Sequence, residues 1–199
     1  MYLNCKTNFS FRYGTFRTEE LVVEAASLGV KTMAITNINN TCDVWDFIDH
    51  CNEARIKAVA GVEIRNGSTF LYILLAKNNS GFLEINRFLS QHLQEKLSFQ
   101  NRFPFSENVF VIYPFGGFDA EQLNSNEFIG VQITEVNKLY NINVEAARSK
   151  YVIRHPVTFR NEDMYVAHRL LRAVDKNIVI SKQQREDVAD RHEIGRAHV

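Results

Sequence analysis

Short apolar stretches alternate along this chain with stretches of helical periodicity, and that alternation most constrains the fold. Segments 3–7, 31–36, 56–64, 69–76, 109–113, 128–133 and 151–154 read as strands, being brief, aliphatic and bounded by turn residues. Between them lie amphipathic helices. Thr18 sits at an N-cap with Glu19 and Glu20 behind it; Leu21, Val22, Ala25, Ala26 and Leu28 follow as an apolar face, and Gly29 is the stop. A second helix over 43–55 carries Val44, Phe47, Ile48 and Cys51 on one side. A third, from Asn79 or Ser80, turns Phe82, Ile85, Phe88 and Leu89 inward; a fourth runs from Asn161 or Glu162 through Ala173, and Ser181 caps a last one. Parallel strands need helical crossovers, so the pattern predicts an α/β protein with a parallel sheet. Seven strands in 199 residues favour a small closed or nearly closed barrel over an open doubly wound sheet. In such folds chemistry gathers in the loops after the strand C-termini, here 4–14, 37–41, 63–67 and 154–159.

Composition narrows the setting. Hydrophobic residues make up 45% and charged residues 23%, the balance of a folded globular chain. Lys+Arg and Asp+Glu number 23 each, so no global basic field points to nucleic acid. Cys5, Cys42 and Cys51 are odd in number and lack CxxC spacing, which reads as reduced thiols in the cytoplasm. No apolar run reaches the length of a membrane span, and no signal pattern opens the chain. The last seven residues, 193–199, resemble the translation of a sequencing adapter. The expectation is therefore one domain over 1–192, the start of a longer protein, with a non-native tail in which Arg196 and His198 belong to no site.

The opening strand ends in Asn4-Cys5-Lys6-Thr7, followed by an aromatic-Ser turn. Positions 4 and 6 share one side of an extended strand, the arrangement of a metal-site entrance. Here an amide and an ammonium stand there, and an ammonium repels a metal ion.

Residues 3–14, then 29–40, then Gly61-Val62-Glu63 form an ordered motif series. Together with Leu74-Leu75-Ala76-Lys77-Asn78, Gly81-Phe82 and the stretch 167–174, it resembles the polymerase and histidinol phosphatase (PHP) domain. The version resembled opens bacterial replicative DNA polymerase III alpha subunits, and the likeness runs from residue 1 to about 190. It implies a PHP-type distorted (β/α)7-like barrel. Intact members hold two or three metal ions on histidines and carboxylates, and adjacent cations there activate water and clamp a phosphoester.

Carried over position by position, the resemblance implies a degenerate site. Asn4 and Lys6 replace paired histidines, and Tyr13 replaces an aspartate; Asn37 and Ile38 replace an aspartate and a histidine. Leu71 falls where a histidine is usual, and Pro156 and Thr158 stand for a closing aspartate and histidine. Only Glu63 keeps the ligand type, and Lys6 is expected to pair with it. The resemblance thus implies a domain with no catalytic residue and no metal of its own. The full subunit would make DNA with Mg ions in a polymerase palm absent from this sequence. Implied partners are the rest of that subunit, a separate proofreading exonuclease, and DNA through the full-length protein. Two alternatives are a stand-alone metal-dependent phosphoesterase using Glu63, His155 and Asn37, and a PHP-like scaffold unrelated to replication.

The remaining candidates have plainer readings. His155 reads as a loop residue at a pocket edge, His50 and His92 as lone helical residues, and His168 as a helical residue satisfied by hydrogen bonding. Cys5 and Cys51 read as small buried hydrophobes, Trp45 as packing, and Phe99, Phe103 and Phe105 as a loop folded onto the barrel. Arg169, Arg172 and Lys176 form a basic stripe read as a solvated helix face.

Overall fold

The structure is a computed structural model and describes residues 1–141 and 147–194. Its strands are β1 (Tyr2–Cys5), β2 (Thr32–Ile35), β3 (Lys57–Asn66), β4 (Thr69–Ala76), β5 (Val109–Pro114), β6 (Glu127–Val131), β7 (Tyr151–Ile153) and β8 (Pro156–Val157). The α-helices among the described residues are α1 (Thr18–Ser27), α2 (Val44–Glu53), α3 (Asn79–Gln94) and α4 (Glu162–Lys176). All eight strands join one sheet in the order β7-β6-β5-β4-β3-β2-β1-β8. Its two edge strands, β7 and β8, are separated in sequence only by Arg154 and His155. Three Cα steps span about 11 Å at most, so the edges lie close together. The sheet therefore curls into a distorted barrel with one unpaired seam.

The sheet is mixed, which corrects the expectation of a parallel one. β3 pairs antiparallel with β4, and β4 with β5. The reason is local: Asn66 faces Thr69 across a tight turn in which Gly67 takes φ +60°. So short a link makes a hairpin and cannot hold a crossover helix. β3 consequently runs on to Asn66, and Glu63 lies within a strand rather than in a loop. The apolar stretch 69–76 turns back along it. An eighth short strand at 156–157 was also unexpected. In place of a helix capped by Ser181, the chain makes short 3-10 turns at Ile180–Lys182 and Arg185–Asp187.

Alternation along β3 sorts its two faces. Val62 and Ile64 pack outward with Leu71, Tyr72 and Leu74 against Ile85 and Leu89 of α3. Val59 points the other way, into an inner cluster with Ala34, Ile73, Leu75 and Ile112. Glu63 and Arg65 share the face of Val59. The interior is thus apolar toward one end and charged where β1 and β3 reach their C-termini.

The loop after β1 is pinned by a buried polar network. Asn37 Oδ1 accepts from the Thr7 amide (2.8 Å) and the Ser10 hydroxyl (2.7 Å), while its Nδ2 donates to Asp43 (2.6 Å). Asp43 also accepts from Thr7 Oγ1 (2.6 Å) and Thr18 Oγ1 (3.0 Å). Gly14 closes this loop against the strand end, where a Cβ would meet the Thr7 carbonyl oxygen at 1.9 Å. Gly14→Ala is expected to cost about 2–4 kcal/mol through forced opening of the loop. A urea melt showing an unchanged midpoint would count against this close approach.

Candidate functional site

Lys6 and Glu63 are wholly buried, each 0% exposed. The Lys6 ammonium lies 2.9 Å from Glu63 Oε2, an ion contact without hydrogen-bond alignment at that oxygen. Arg65, two residues along the same strand, donates from Nε to Oε1 at 2.5 Å. Both carboxylate oxygens are therefore held by cations. Lys6 Nζ also donates to Asn4 Oδ1 (3.0 Å), which takes a second bond from Thr36 Oγ1 (3.2 Å). Burial alone would raise the pKa of Glu63, but Arg65 and Lys6 outweigh it and hold the carboxyl at about 2.

Tyr13 roofs this cluster. Its ring lies 4.5 Å from the Arg65 guanidinium and 5.2 Å from that of Arg172, and its hydroxyl accepts from Arg65 Nη2 (3.2 Å). Burial pushes the phenol up, so it stays protonated. From the seam, buried Arg154 lays its guanidinium on the Phe70 ring at 4.5 Å, with Nε lacking a hydrogen-bond partner. Desolvation lowers its pKa. Thr158 donates through its hydroxyl to Glu193, whose carboxylate comes within 3.9 Å of Lys6.

His168 ties the roof down from α4. Its Nε2 accepts from the Ala189 amide (2.8 Å), so the proton resides on Nδ1, which donates to the Tyr13 carbonyl (2.6 Å). Burial lowers its pKa to about 4. Arg172 donates to the Asp187 carbonyl (2.7 Å) and pairs with Asp175 (2.8 Å). Lys176 pairs with Asp187 at 3.3 Å, and Arg169 donates to Gln183 at 3.2 Å. Arg172 is thus buried and Arg169 half-buried against the chain's own following segment, which corrects the reading of a solvated face at those two positions, while Lys176 stays exposed.

Of the positions singled out in the sequence, Asn4, Lys6, Tyr13, Glu63 and Thr158 converge. Asn37 is committed to the Asp43 network. Ile38 touches the site through its backbone, bridging beside Glu63, and its side chain packs with Tyr13 and Phe159. Leu71 points out of the barrel into the α3 core. Pro156 opens the edge strand β8 opposite Asn4, a position where its missing N–H costs little. His155 stands in the seam, edge-on to Tyr2 and 3.4 Å from the Ile194 carbonyl. Glu193, first residue of the expected tail, reaches the cluster; 195–199, with Arg196 and His198, lie outside the described residues. Arg65, Thr36, Arg154, His168 and Arg172 went unflagged as site residues. Arg65 had a sequence signal in its i+2 spacing from Glu63, and His168 and Arg172 in their place within the stretch 167–174.

Elsewhere, Cys5 and Cys51 are buried, and burial raises their thiols to about 12 and about 11. Phe99 and Phe103 are buried while Phe105 is exposed. Trp45 is 68% exposed, so it is not core packing. No helix among the described residues is long and apolar enough to cross a membrane.

A curled α/β barrel with a polar cluster at the C-terminal ends of its inner strands defines the class to which this chain conforms. The sequence profile of the PHP domain matches residues 3–116, more than half of the chain, and the chain belongs to that family. The DNA polymerase III alpha subunit of Staphylococcus aureus (strain N315) is 31% identical over 118 residues, covering 56% of this chain and 11% of the relative. An error-prone DNA polymerase of Pseudomonas paraeruginosa is 32% identical over 89 residues, covering 45% and 9%. The chain thus spans about a tenth of the length of these curated relatives. Among solved structures, a two-domain protein from Bacteroides vulgatus containing a predicted PHP-like metal-dependent phosphoesterase aligns with TM-score 0.39 at 12% identity, over 89% of this chain and 49% of that one. An amidohydrolase from Chromobacterium violaceum aligns with TM-score 0.39 at 15% identity, over 48% and 34%. Family membership rests on the sequence match, not on these distant shapes.

Proposed function

We propose that this chain is the PHP domain of a replicative polymerase subunit of the DNA polymerase III alpha type, acting as a metal-free structural and partner-docking module. The observation that carries this reading is the double occupation of Glu63 by Lys6 and Arg65. A divalent ion needs several free oxygen or nitrogen donors, and both oxygens of the one inward carboxylate of β3 are already engaged by fixed cations. Asn4, the other donor on that side, accepts from Lys6 and Thr36. The donor set does not fit a catalytic metal cluster. Fixed ammonium and guanidinium groups serve here as permanent counter-charges that hold strands β1 and β3 together.

DNA synthesis on this reading belongs to palm carboxylates and Mg ions in the rest of the subunit. The barrel buttresses that machinery and offers a surface to a proofreading exonuclease. Family membership and the two polymerase relatives support this placement. Elemental analysis of the purified chain tests the metal-free part. The expected result is no stoichiometric Zn, Mn or Fe and no chelator-sensitive hydrolysis of p-nitrophenyl phosphate esters. A bound equivalent of metal whose removal abolishes hydrolysis would overturn it. Binding titrations against the proofreading subunit test docking, and no interaction would sink that part.

A further inference from the structure

The described surface bears an apolar cleft away from the ion cluster, bordered by α2 and α3. Its volume is about 380 Å³, within the ~300–1,000 Å³ range of clefts that hold ligands. The strand residues that line it come from the starts of β1, β2, β3 and β5 and the end of β4. Those are the opposite strand ends from Lys6 and Arg65. Trp45, Ile48, Phe82 and Phe110 supply its apolar walls. Trp45 leans edge-on to Phe82 at 6.2 Å between ring centroids and still exposes 68% of its surface. So large an exposed indole beside further aromatics is the composition of an interface centre.

The charged side chains that line this cleft have one sign. Its charged lining side chains are those of Lys57 and Lys77, both exposed. Neither pairs with a carboxylate among the described residues. Lys77 instead lies over the Phe110 ring at 4.3 Å and donates to Asn126 (2.6 Å). An aromatic floor flanked by unneutralised ammonium groups complements an apolar anchor with acidic neighbours.

We infer that this cleft docks an acidic peptide segment of a partner protein, seating a bulky aromatic or aliphatic side chain against Trp45 and Phe82 with carboxylates toward Lys57 and Lys77. The inference rests on the partner-docking role proposed above and gives that role a place and a chemistry.

Selection from a displayed library of random short peptides tests it. The wild-type chain is expected to enrich sequences with Asp or Glu flanking Trp, Phe or Leu. Trp45→Ala should weaken the selected peptides about tenfold or more, as for an interface centre. The double variant Lys57→Glu, Lys77→Glu should lose them and favour basic sequences. Raising salt should weaken wild-type binding. All these substitutions are on the surface, and circular dichroism confirms that the variants fold. Selection of no binders, of sequences without acidic enrichment, or of peptides indifferent to Trp45→Ala would overturn the inference. These readouts are independent of metal content and hydrolysis, so a failure here is distinguishable from a failure of the metal-free reading.

Discussion

Replacing Glu63 by Gln is expected to cost about 3–5 kcal/mol, the penalty of breaking a buried ion pair, and to bring the chain close to unfolding. The side chain keeps its shape but loses the negative charge shared between Lys6 at 2.9 Å and Arg65 at 2.5 Å. Buried Arg154 faces the same deficit, since Glu63 is the leading carboxylate that supports its charge. Chemical denaturation of the wild type and variant measures the loss. Lys6→Met should be similarly harmful alone, while the double variant Lys6→Met, Glu63→Gln should cost clearly less than the sum, the signature of coupled groups. A catalytic metal ligand would behave in the opposite way: Glu63→Gln would abolish activity while leaving the metal-free protein as stable as before. Stability unchanged in Glu63→Gln would therefore refute the network as the element joining β1 to β3.

His168→Leu should cost about 2–4 kcal/mol at neutral pH, because it leaves two buried backbone groups unpaired. Those groups are the Tyr13 carbonyl and the Ala189 amide. The same residue makes a pH prediction. The folded pKa of about 4 lies below the ordinary 6.5, so between those values the unfolded chain binds more protons than the folded one. The stabilising contribution is complete above pH 6.5, declines as pH falls, and is exhausted below pH 4. The full loss is about 3 kcal/mol. Glu63 acts in a lower window, its contribution present above 4.5 and lost toward about 2. Melting midpoints of the wild type should therefore drop between pH 6.5 and 4, and that slope should be largely absent in His168→Leu. An equal slope in both proteins would assign the acid sensitivity elsewhere.

Much of the architecture was legible because local periodicity and turn chemistry encode it. Gly29 does end α1 with φ +68°, and Asn161 caps α4 by accepting from the Met164 amide at 3.0 Å. Strand polarity was less legible. Apolar alternation reads the same in either direction, and only the reversal at Gly67-Ser68 distinguishes a hairpin from a crossover. The site was legible in part. Asn4, Lys6 and Glu63 could be named from motif order, and a Lys6–Glu63 pair followed from opposite charge. Leu71 could not be placed, because its facing depends on the irregular register between Ile64 and Arg65. His168 was legible as a hydrogen-bonded helical residue, as found, but not its partner, since Tyr13 lies 155 residues away; the approach of Arg154 through the seam could not be found at all.

By itself the sequence determined a strand-and-helix barrel, its family, and an ammonium at position 6 where a metal ligand is expected. Those properties follow from residue chemistry and short-range spacing, which survive without knowledge of contacts. Tertiary structure alone decided the rest: closure of the sheet through Arg154 and His155, the second cation on Glu63, and the neutral state of His168. It also drew Arg172 of α4 into the interior and left Trp45 open on a cleft that two lysines line. Each depends on which distant groups share a low-dielectric interior or an uncovered surface, and only the folded chain sets that.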